Sequence, residues 1–403
     1  MKIEKIIDNT IKPQLIEAFG RQIANSLLTR ATLSYVSTDG SEKERYETLL
    51  YSICSDKRVT DTWGKHTAAE QMKEWKNLLA TDSSSRHSSD QKKGTSPLSE
   101  KYDAIKGEKP MSAKILDGRA LAKEVKEEVI AGVNDFKAKH GFTPTIAVVR
   151  AGDDPASVSY AKMIKKSFEK AKMNFALHTL PDTASQEEVT DQVAALNADN
   201  NVHGIMVQEP LPKGIDDTAI KAVILPEKDA DGVSPINAGR LAQASPVGRA
   251  EEVKDYIVPA TPLGGLEILK RSGVKIDGKR AVVVGRSNIV GRPMSFLLMQ
   301  HHATVSMCHS HTRPLGNATR QADILCVAVG VAKLIKGDMI KPGAIVIDFG
   351  FNRSEGEWVG DVDFEEAKEV AGMITPVPGG TGSMTNVILM RNVLEAAQRQ
   401  IKE

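Results

Sequence analysis

The chain has 403 residues, with 53 Lys plus Arg against 52 Asp plus Glu, so the formal net charge is +1. That balance removes the simplest reason to expect nucleic acid or an anionic membrane as partner, because no global positive field exists to release counterions. Aromatics at 4% leave few stacking platforms for single strands, and Cys54, Cys308 and Cys326 are too few and too scattered for a disulfide framework or a zinc site.

No apolar run approaches the roughly 20 residues that span a bilayer. The first ten residues carry Glu4 and Asp8 and contain no apolar signal core, so neither a secretory nor a transit segment is expected. The expectation is a cytoplasmic protein without metal.

Residues 1–81 read as a small, mainly helical module. Ile6, Ile7, Ile11, Leu15, Phe19, Ile23 and Leu27 recur at three- and four-residue steps, the spacing of one buried helical face. A second helix is predicted through Tyr46, Leu49, Leu50 and Ile53, and a third through Met72, Trp75 and Leu79. Cys54 and Trp63 are read as core or surface residues. The simplest view of the module is a packed appendage; a protein partner for residues 1–81 is the alternative. Residues 82–110 are rich in Ser, Lys and Asp and have no period, so they are read as a flexible linker.

After Met111 the pattern alternates. Strand-like apolar runs occur at Ile146–Val149, Gly204–Val207, Ala281–Val284, Ile324–Ala328 and Ala344–Ile347. Helical spacing separates most of them, as at Leu121–Phe136 and Gln186–Leu196. This predicts an α/β fold with a largely parallel sheet covered by helices on both faces.

Residues 281–299, AVVVGRSNIVGRPMSFLLM, read as strand, tight turn and helix. Gly285 allows the turn, Gly291 lets the helix approach closely, and backbone N–H groups at the helix start would receive a pyrophosphate. Ser287 replaces the central glycine of the usual dinucleotide pattern. The following strand ends in Ser310, His311, Thr312 and Arg313, with no acid to hold a ribose 2′-hydroxyl. Together with Arg286, this hydroxyl-rich, cationic end favours a 2′-phosphate, hence NADP. His309 and His311 are read as polar surface. The candidate cofactor-binding set is Gly285, Arg286, Ser287, Ile289, Gly291, Ser310 and Thr312.

An ordered set of motifs then narrows the reading: DDPASVSY (153–160), GIMVQEPLP (204–212), PEKDADG (226–232), INAGRL (236–241), PATPLGG (259–265), VVVGRSNIVGRPM (282–294), KPGAIVIDFGFN (341–352), VGDVDF (359–364) and TPVPGGTGSMT (375–385). Over residues 111–401 the chain resembles the bifunctional methylenetetrahydrofolate dehydrogenase/cyclohydrolase family. The resemblance implies a folate-binding catalytic α/β domain at 111–258 and a Rossmann-like NADP domain at 259–383. A C-terminal helix at 384–403 would return to the first domain. It also implies a tetrahydrofolate derivative as substrate, in a cleft between the domains, and a homodimer. Tyr160 matches the tyrosine that stacks on the pterin, Gln208 the cleft glutamine, and Asp231 the carboxylate that holds the pterin ring nitrogens; these three are the candidate catalytic and substrate-binding residues. Pro376, Gly379 and Gly380 match the loop lining the cleft, and Arg286 and Ser310 match contacts to the 2′-phosphate.

Four positions depart from the family pattern. Thr381, Ser383 and Glu209 replace commoner apolar residues or proline. More consequentially, the pattern Tyr, three residues, catalytic lysine is YAKMI here, so Ile164 stands at the lysine position. Lys165 lies about 100° further round a helix, and Lys162 points elsewhere. Oxidation of the methylene group asks chiefly for positioning, whereas hydrolysis of the methenyl cation needs a proton relay. The expected function is therefore an NADP-dependent dehydrogenase of 5,10-methylenetetrahydrofolate with weak or absent cyclohydrolase activity. The alternatives are the complete bifunctional enzyme and a non-catalytic folate- and NADP-binding protein.

Overall fold

A computed structural model describes residues 3–37, 41–56, 59–60, 65–80, 112–247, 255–354 and 356–401. The linker expected at 82–110, together with Trp63 and Met111, lies outside the described residues. The chain divides into two units, Met1–Lys109 and Pro110–Glu403.

In the first unit, Ile3–Ile6 passes through a π-helical turn, Ile7–Ile11, into the long helix Lys12–Ser37. Helices Glu42–Cys54 and Lys65–Ala80 follow. Ser41 opens the second helix with a reciprocal cap: its N–H donates to Glu44 Oε2 at 2.7 Å, and the Glu44 N–H returns to its hydroxyl at 3.3 Å. Leu15, Leu27, Leu49, Leu50, Ile53 and Trp75 form a common core. Polar bonds tie the helices as well, since the Tyr46 hydroxyl donates to the Trp75 carbonyl (2.9 Å) and the Trp75 indole donates to Gln14 Oε1 (2.7 Å). Ile23 is the exception to the predicted face, being 38% exposed while Ala24 is buried. Each four-residue step overshoots a 3.6-residue turn by about 40°, so a ladder of such steps walks off the buried stripe.

The second unit is built on two parallel sheets. Its strands are β1 (Lys114–Ile115), β2 (Thr145–Ala151), β3 (Asn174–Leu180), β4 (Gly204–Val207), β5 (Arg280–Val284), β6 (Thr304–Cys308), β7 (Ile324–Val327), β8 (Ile345–Asp348), β9 (Asn352–Ser354), β10 (Glu357–Val359) and β11 (Met373–Ile374). A three-stranded sheet has the order β3-β2-β4 and a six-stranded sheet the order β1-β11-β8-β7-β5-β6. The five predicted apolar runs are β2, β4, β5, β7 and β8, whose residues are mostly buried on both faces, as parallel strands under helices must be. Strand β1 precedes the first lobe in sequence yet pairs with β11 at the edge of the larger sheet.

Helix Thr381–Gln400 packs along helices Gly118–His140 and Ala260–Arg271. Asn392 donates to the carbonyls of Ala230 (2.9 Å) and Val258 (3.0 Å), and Gln400 donates to that of His203 (2.8 Å). The segment following the larger sheet thus closes the core of the smaller lobe. Among the described residues no helix is long and apolar enough to cross a membrane.

Candidate active site

The half of the site expected to take the folate is assembled where helix Pro155–Lys170 meets the end of β4. Asp154 caps the helix by accepting from the Ser157 N–H at 2.9 Å, and Pro155 occupies the first turn, where no N–H is needed. The turn so fixed is stitched to the strand. Gln208 Nε2 donates to the Ser157 carbonyl at 2.8 Å, and the Ser157 hydroxyl donates to the Glu209 carbonyl at 3.1 Å. Gln208 is 3% exposed, and its Oε1 has no hydrogen-bond partner among the described residues. A buried acceptor left in this way costs about 1–3 kcal/mol unless a donor arrives.

Ile164 is fully buried on the same helix face as Ser157, Ala161 and Phe168. Lys162, Lys165 and Lys166 are exposed, and Lys165 faces Glu169 at 3.9 Å. None of the three shares the face of Ile164.

Asp231 lies in the turn that leads into helix Pro235–Gln243, close after Asp229, which forms a β-bridge with Ile205 of β4. Its neighbour Asp229 is consumed by structure, accepting from the N–H groups of Val233 (3.2 Å) and Ser234 (2.7 Å) and from Asn237 Nδ2 (2.9 Å). The Asp231 carboxyl is pushed up to about 7, first by burial and then by the charge of Asp229. Burial, and after it the Asp231 charge, raises the Tyr160 hydroxyl above its ordinary value, so the phenol stays a neutral donor. Tyr160 and Asp231, on two different elements, thus lie close enough for the charge of Asp231 to be felt at the phenol. Sequence reasoning missed the ion cluster beside them. Lys221 pairs with Glu209 and, at 2.9 Å, with Asp217. Burial works against its charge, but the two carboxylates outweigh that and raise its pKa.

Between the lobes, Glu209, Lys221, Val233, Pro259, Ile289 and Phe296 help to line a cavity of about 590 Å³. Ile289, expected beside the nucleotide, lines this space, together with Asn288 and Arg292 of the same segment.

The nucleotide half begins at the end of β5. Gly285 has φ +123°, and a Cβ built there would overlap the Ala328 carbonyl oxygen, so both its backbone and its surroundings demand glycine. Gly291 is equally constrained, because its Cβ would overlap the Gly285 carbonyl. The helix start expected to offer free N–H groups differs from expectation in one respect. Ser287 Oγ accepts from the N–H groups of Val290 (3.2 Å) and Gly291 (3.3 Å), so the residue in place of the central glycine caps the helix itself.

A second cavity, of about 690 Å³, brings Gly285, Arg286, Ser287, Ser310 and Thr312 together; Arg313, the strip Ala328–Val329 and His309, expected only as polar surface, also line it. Thr312 also shapes the turn, its hydroxyl accepting from the His309 N–H at 3.0 Å. The cavity lining contains arginines and no carboxylate. This donor set fits a dinucleotide bearing a 2′-phosphate. Gly291 lies behind the turn rather than in the wall.

The loop containing Pro376, Gly379 and Gly380 leads into helix Thr381–Gln400. A Cβ on Gly118 would overlap the Gly380 backbone, and Arg119 lies beside Gly379. The loop is thus held against the start of helix Gly118–His140.

Residues 116–231 match the catalytic domain of the tetrahydrofolate dehydrogenase/cyclohydrolase family, and residues 259–401 match its NAD(P)-binding domain. The bifunctional protein FolD 2 of Desulfitobacterium hafniense is 48% identical over 291 residues, 72% of this chain and 99% of that protein. Among solved structures, the bifunctional FolD methylenetetrahydrofolate dehydrogenase/cyclohydrolase of Campylobacter jejuni superposes with a TM-score of 0.68 at 42% identity, covering 72% of this chain and 99% of that one. The Trypanosoma brucei methylenetetrahydrofolate dehydrogenase-cyclohydrolase, complexed with NADP cofactor and inhibitor, gives 0.67 at 36% identity, covering 72% of this chain and 99% of that one. These matches leave the N-terminal helical unit uncovered. With both domains matched in order, the chain belongs to the tetrahydrofolate dehydrogenase/cyclohydrolase family.

Proposed function

We propose that the second unit is an NADP-dependent dehydrogenase that oxidises 5,10-methylenetetrahydrofolate to the 5,10-methenyl form and hydrolyses that product weakly or not at all. The observation that carries this reading is Ile164, buried without a charge where the family pattern has its lysine, on the helix whose first turn is bonded to Gln208, a residue that retains an unanswered acceptor.

Tyr160 offers an aromatic face to a flat pterin, and the Asp231 carboxylate can accept from its two adjacent N–H donors. NADP supplies the hydride acceptor when bound. In the oxidation, hydride leaves the methylene carbon and the cation is stabilised by the folate's own nitrogen lone pairs. What remains for the chain is alignment, and an aligned pair of reactants can account for most of such a rate. Hydrolysis adds water to the cation and must then shift a proton to open the ring, which needs a group of suitable pKa within reach. Isoleucine has no proton to exchange. Lys221 is the charged candidate that would favour a complete bifunctional enzyme, since its ammonium acts on Asp231. Its bonds to Glu209 and Asp217 commit its ammonium to an ion cluster. A homodimer is the assembly that the family resemblance implies.

The test follows methenyl absorbance in two arms. With methylenetetrahydrofolate and NADP, the methenyl species should accumulate; with NAD in place of NADP, it should form more slowly. Supplied alone, methenyltetrahydrofolate should decay no faster than in buffer. Enzymatic decay would restore the bifunctional reading, and no accumulation with either cofactor would leave a binding protein.

Asp231 adds a pH dependence whose sign follows from its raised pKa. Above about 7 the group is a carboxylate and accepts both pterin donors; below that it carries a proton and loses an acceptor. The KM for the folate should rise as pH falls through about 7, and Asp231→Asn should remove that slope while weakening binding at every pH. A slope that survives the substitution would assign the titration to another group.

A further inference from the structure

Behind the nucleotide cavity lies a buried carboxylate that touches none of the space in front of it. Asp361 is fully buried. Its Oδ2 accepts from the N–H groups of Val329 (2.6 Å) and Gly330 (3.0 Å), and its Oδ1 accepts from Asn352 Nδ2 (2.8 Å). Ala328, Val329 and Val331 form one wall of the cavity, and the Gly285 turn rests directly on the Ala328 carbonyl. The strip that Asp361 holds is therefore the surface on which the nucleotide turn is laid.

Asp361 is itself fixed from behind. Its N–H donates to Asp348 Oδ1 (3.1 Å), the Val362 N–H donates to Asp348 Oδ2 (2.9 Å), and the Gly350 N–H donates to Asp348 Oδ1 (2.8 Å). Neither Gly350 nor Gly360 could carry a Cβ, which would overlap Asp361 and Asp348 respectively. Backbone bonds from Lys333 to Gly360 (3.0 Å) and from Ile335 to Asp361 (3.0 Å) hold the far end of the strip.

We propose that Asp361 is a positioning residue for the dinucleotide: its carboxylate, braced by Asp348, holds the 328–331 strip against the Gly285 turn and so sets the shape of the cofactor cavity. Two consecutive amides and one carboxamide converge on it, all donors. Only a group with acceptors on both oxygens satisfies them, because an asparagine must point its NH₂ at one donor set. The inference rests on the dinucleotide reading of the cavity.

The test uses the full chain with Asp361→Asn. NADP affinity, read by calorimetry, should fall about tenfold or more, the scale of losing a hydrogen bond to a charged group. KM for NADP should rise in parallel while kcat at saturating cofactor changes little. Hydrogen exchange at the Val329 and Gly330 amides should speed up about tenfold, with the amides of β2 unchanged. Faster exchange at unchanged NADP affinity would overturn the proposal, as would weaker binding without faster exchange. Should Asp361→Asn not fold, Asn352→Ala removes one donor and leaves both backbone bonds; it should weaken NADP binding severalfold, and unchanged affinity there overturns the proposal as well. If the unaltered chain binds neither NADP nor NAD, it is the dinucleotide reading that fails.

Discussion

Ile164→Lys is expected to raise the rate of methenyltetrahydrofolate hydrolysis by roughly 10²–10⁴-fold, the usual contribution of a positioned acid or base, and to change the oxidation rate far less. Helical side chains lean toward the N-terminus of their helix, so a lysine at 164 is aimed back toward the Ser157–Gln208 junction. There the Oε1 of Gln208 is free to accept a hydrogen bond from its ammonium. The surroundings of Ile164 are apolar and closed to water, which lowers the pKa of an ammonium and brings it toward the range where a relay works. The same desolvation costs stability, and a lower melting temperature should accompany the gain. Ile164→Met, similar in length but without a proton, should give the stability of a tolerated core exchange and no hydrolysis. Both activities rising by equal factors would mean that position 164 acts through cleft shape alone.

Gly285→Ala should reduce NADP affinity by about 100-fold, the upper end of what one strained residue of 1–3 kcal/mol can produce. Alanine is disfavoured at φ +123°, and its methyl would meet the Ala328 carbonyl oxygen. The strip behind that carbonyl is bonded to Asp361 and cannot recede, so relief requires the turn to lift away from the sheet. Arg286 and Ser287 would leave the cavity with it. Folate affinity, set in the other lobe, should stay within about twofold, since sites without shared partners act additively. NADP binding that survives the change would disqualify this turn as the cofactor site.

What the sequence disclosed, and what it concealed, follows from how each residue's environment is made. The runs at β2, β4, β5, β7 and β8 were legible because strands buried on both faces must be apolar throughout. Strand β3 was not, because NFALHTL lies at a sheet edge with three of its seven residues exposed and none fully buried, and shows no clear run. Alternation of strands and helices announced a parallel architecture; it carries no information on which strands share a sheet, and β1 joining β11 is a pairing across more than two hundred residues. In the site, Gly285 and Gly291 stood out because close backbone approach has no substitute residue. Ile164 was visible only against a family pattern. Asp361 and the Lys221–Glu209 pair were invisible for a different reason: their partners are brought in from other elements and no local spacing records the meeting, whereas Lys221 and Asp217 do stand four residues apart on one helix.

The return of helix Thr381–Gln400 to the smaller lobe has a consequence for how the second unit folds. Its bonds close very long loops, with 219 residues between Asn386 and Ser167 and 162 between Asn392 and Ala230. Chain entropy must be spent on those closures before the contacts repay it, which places this unit among slow, high-contact-order folders. It also removes any seam along which the lobes could melt separately: a chain cut before Thr381 would keep every strand of both sheets and still lack the wall that helices Gly118–His140 and Ala260–Arg271 share. The two lobes are accordingly expected to be gained and lost in a single unfolding transition, which calorimetry would read as one peak.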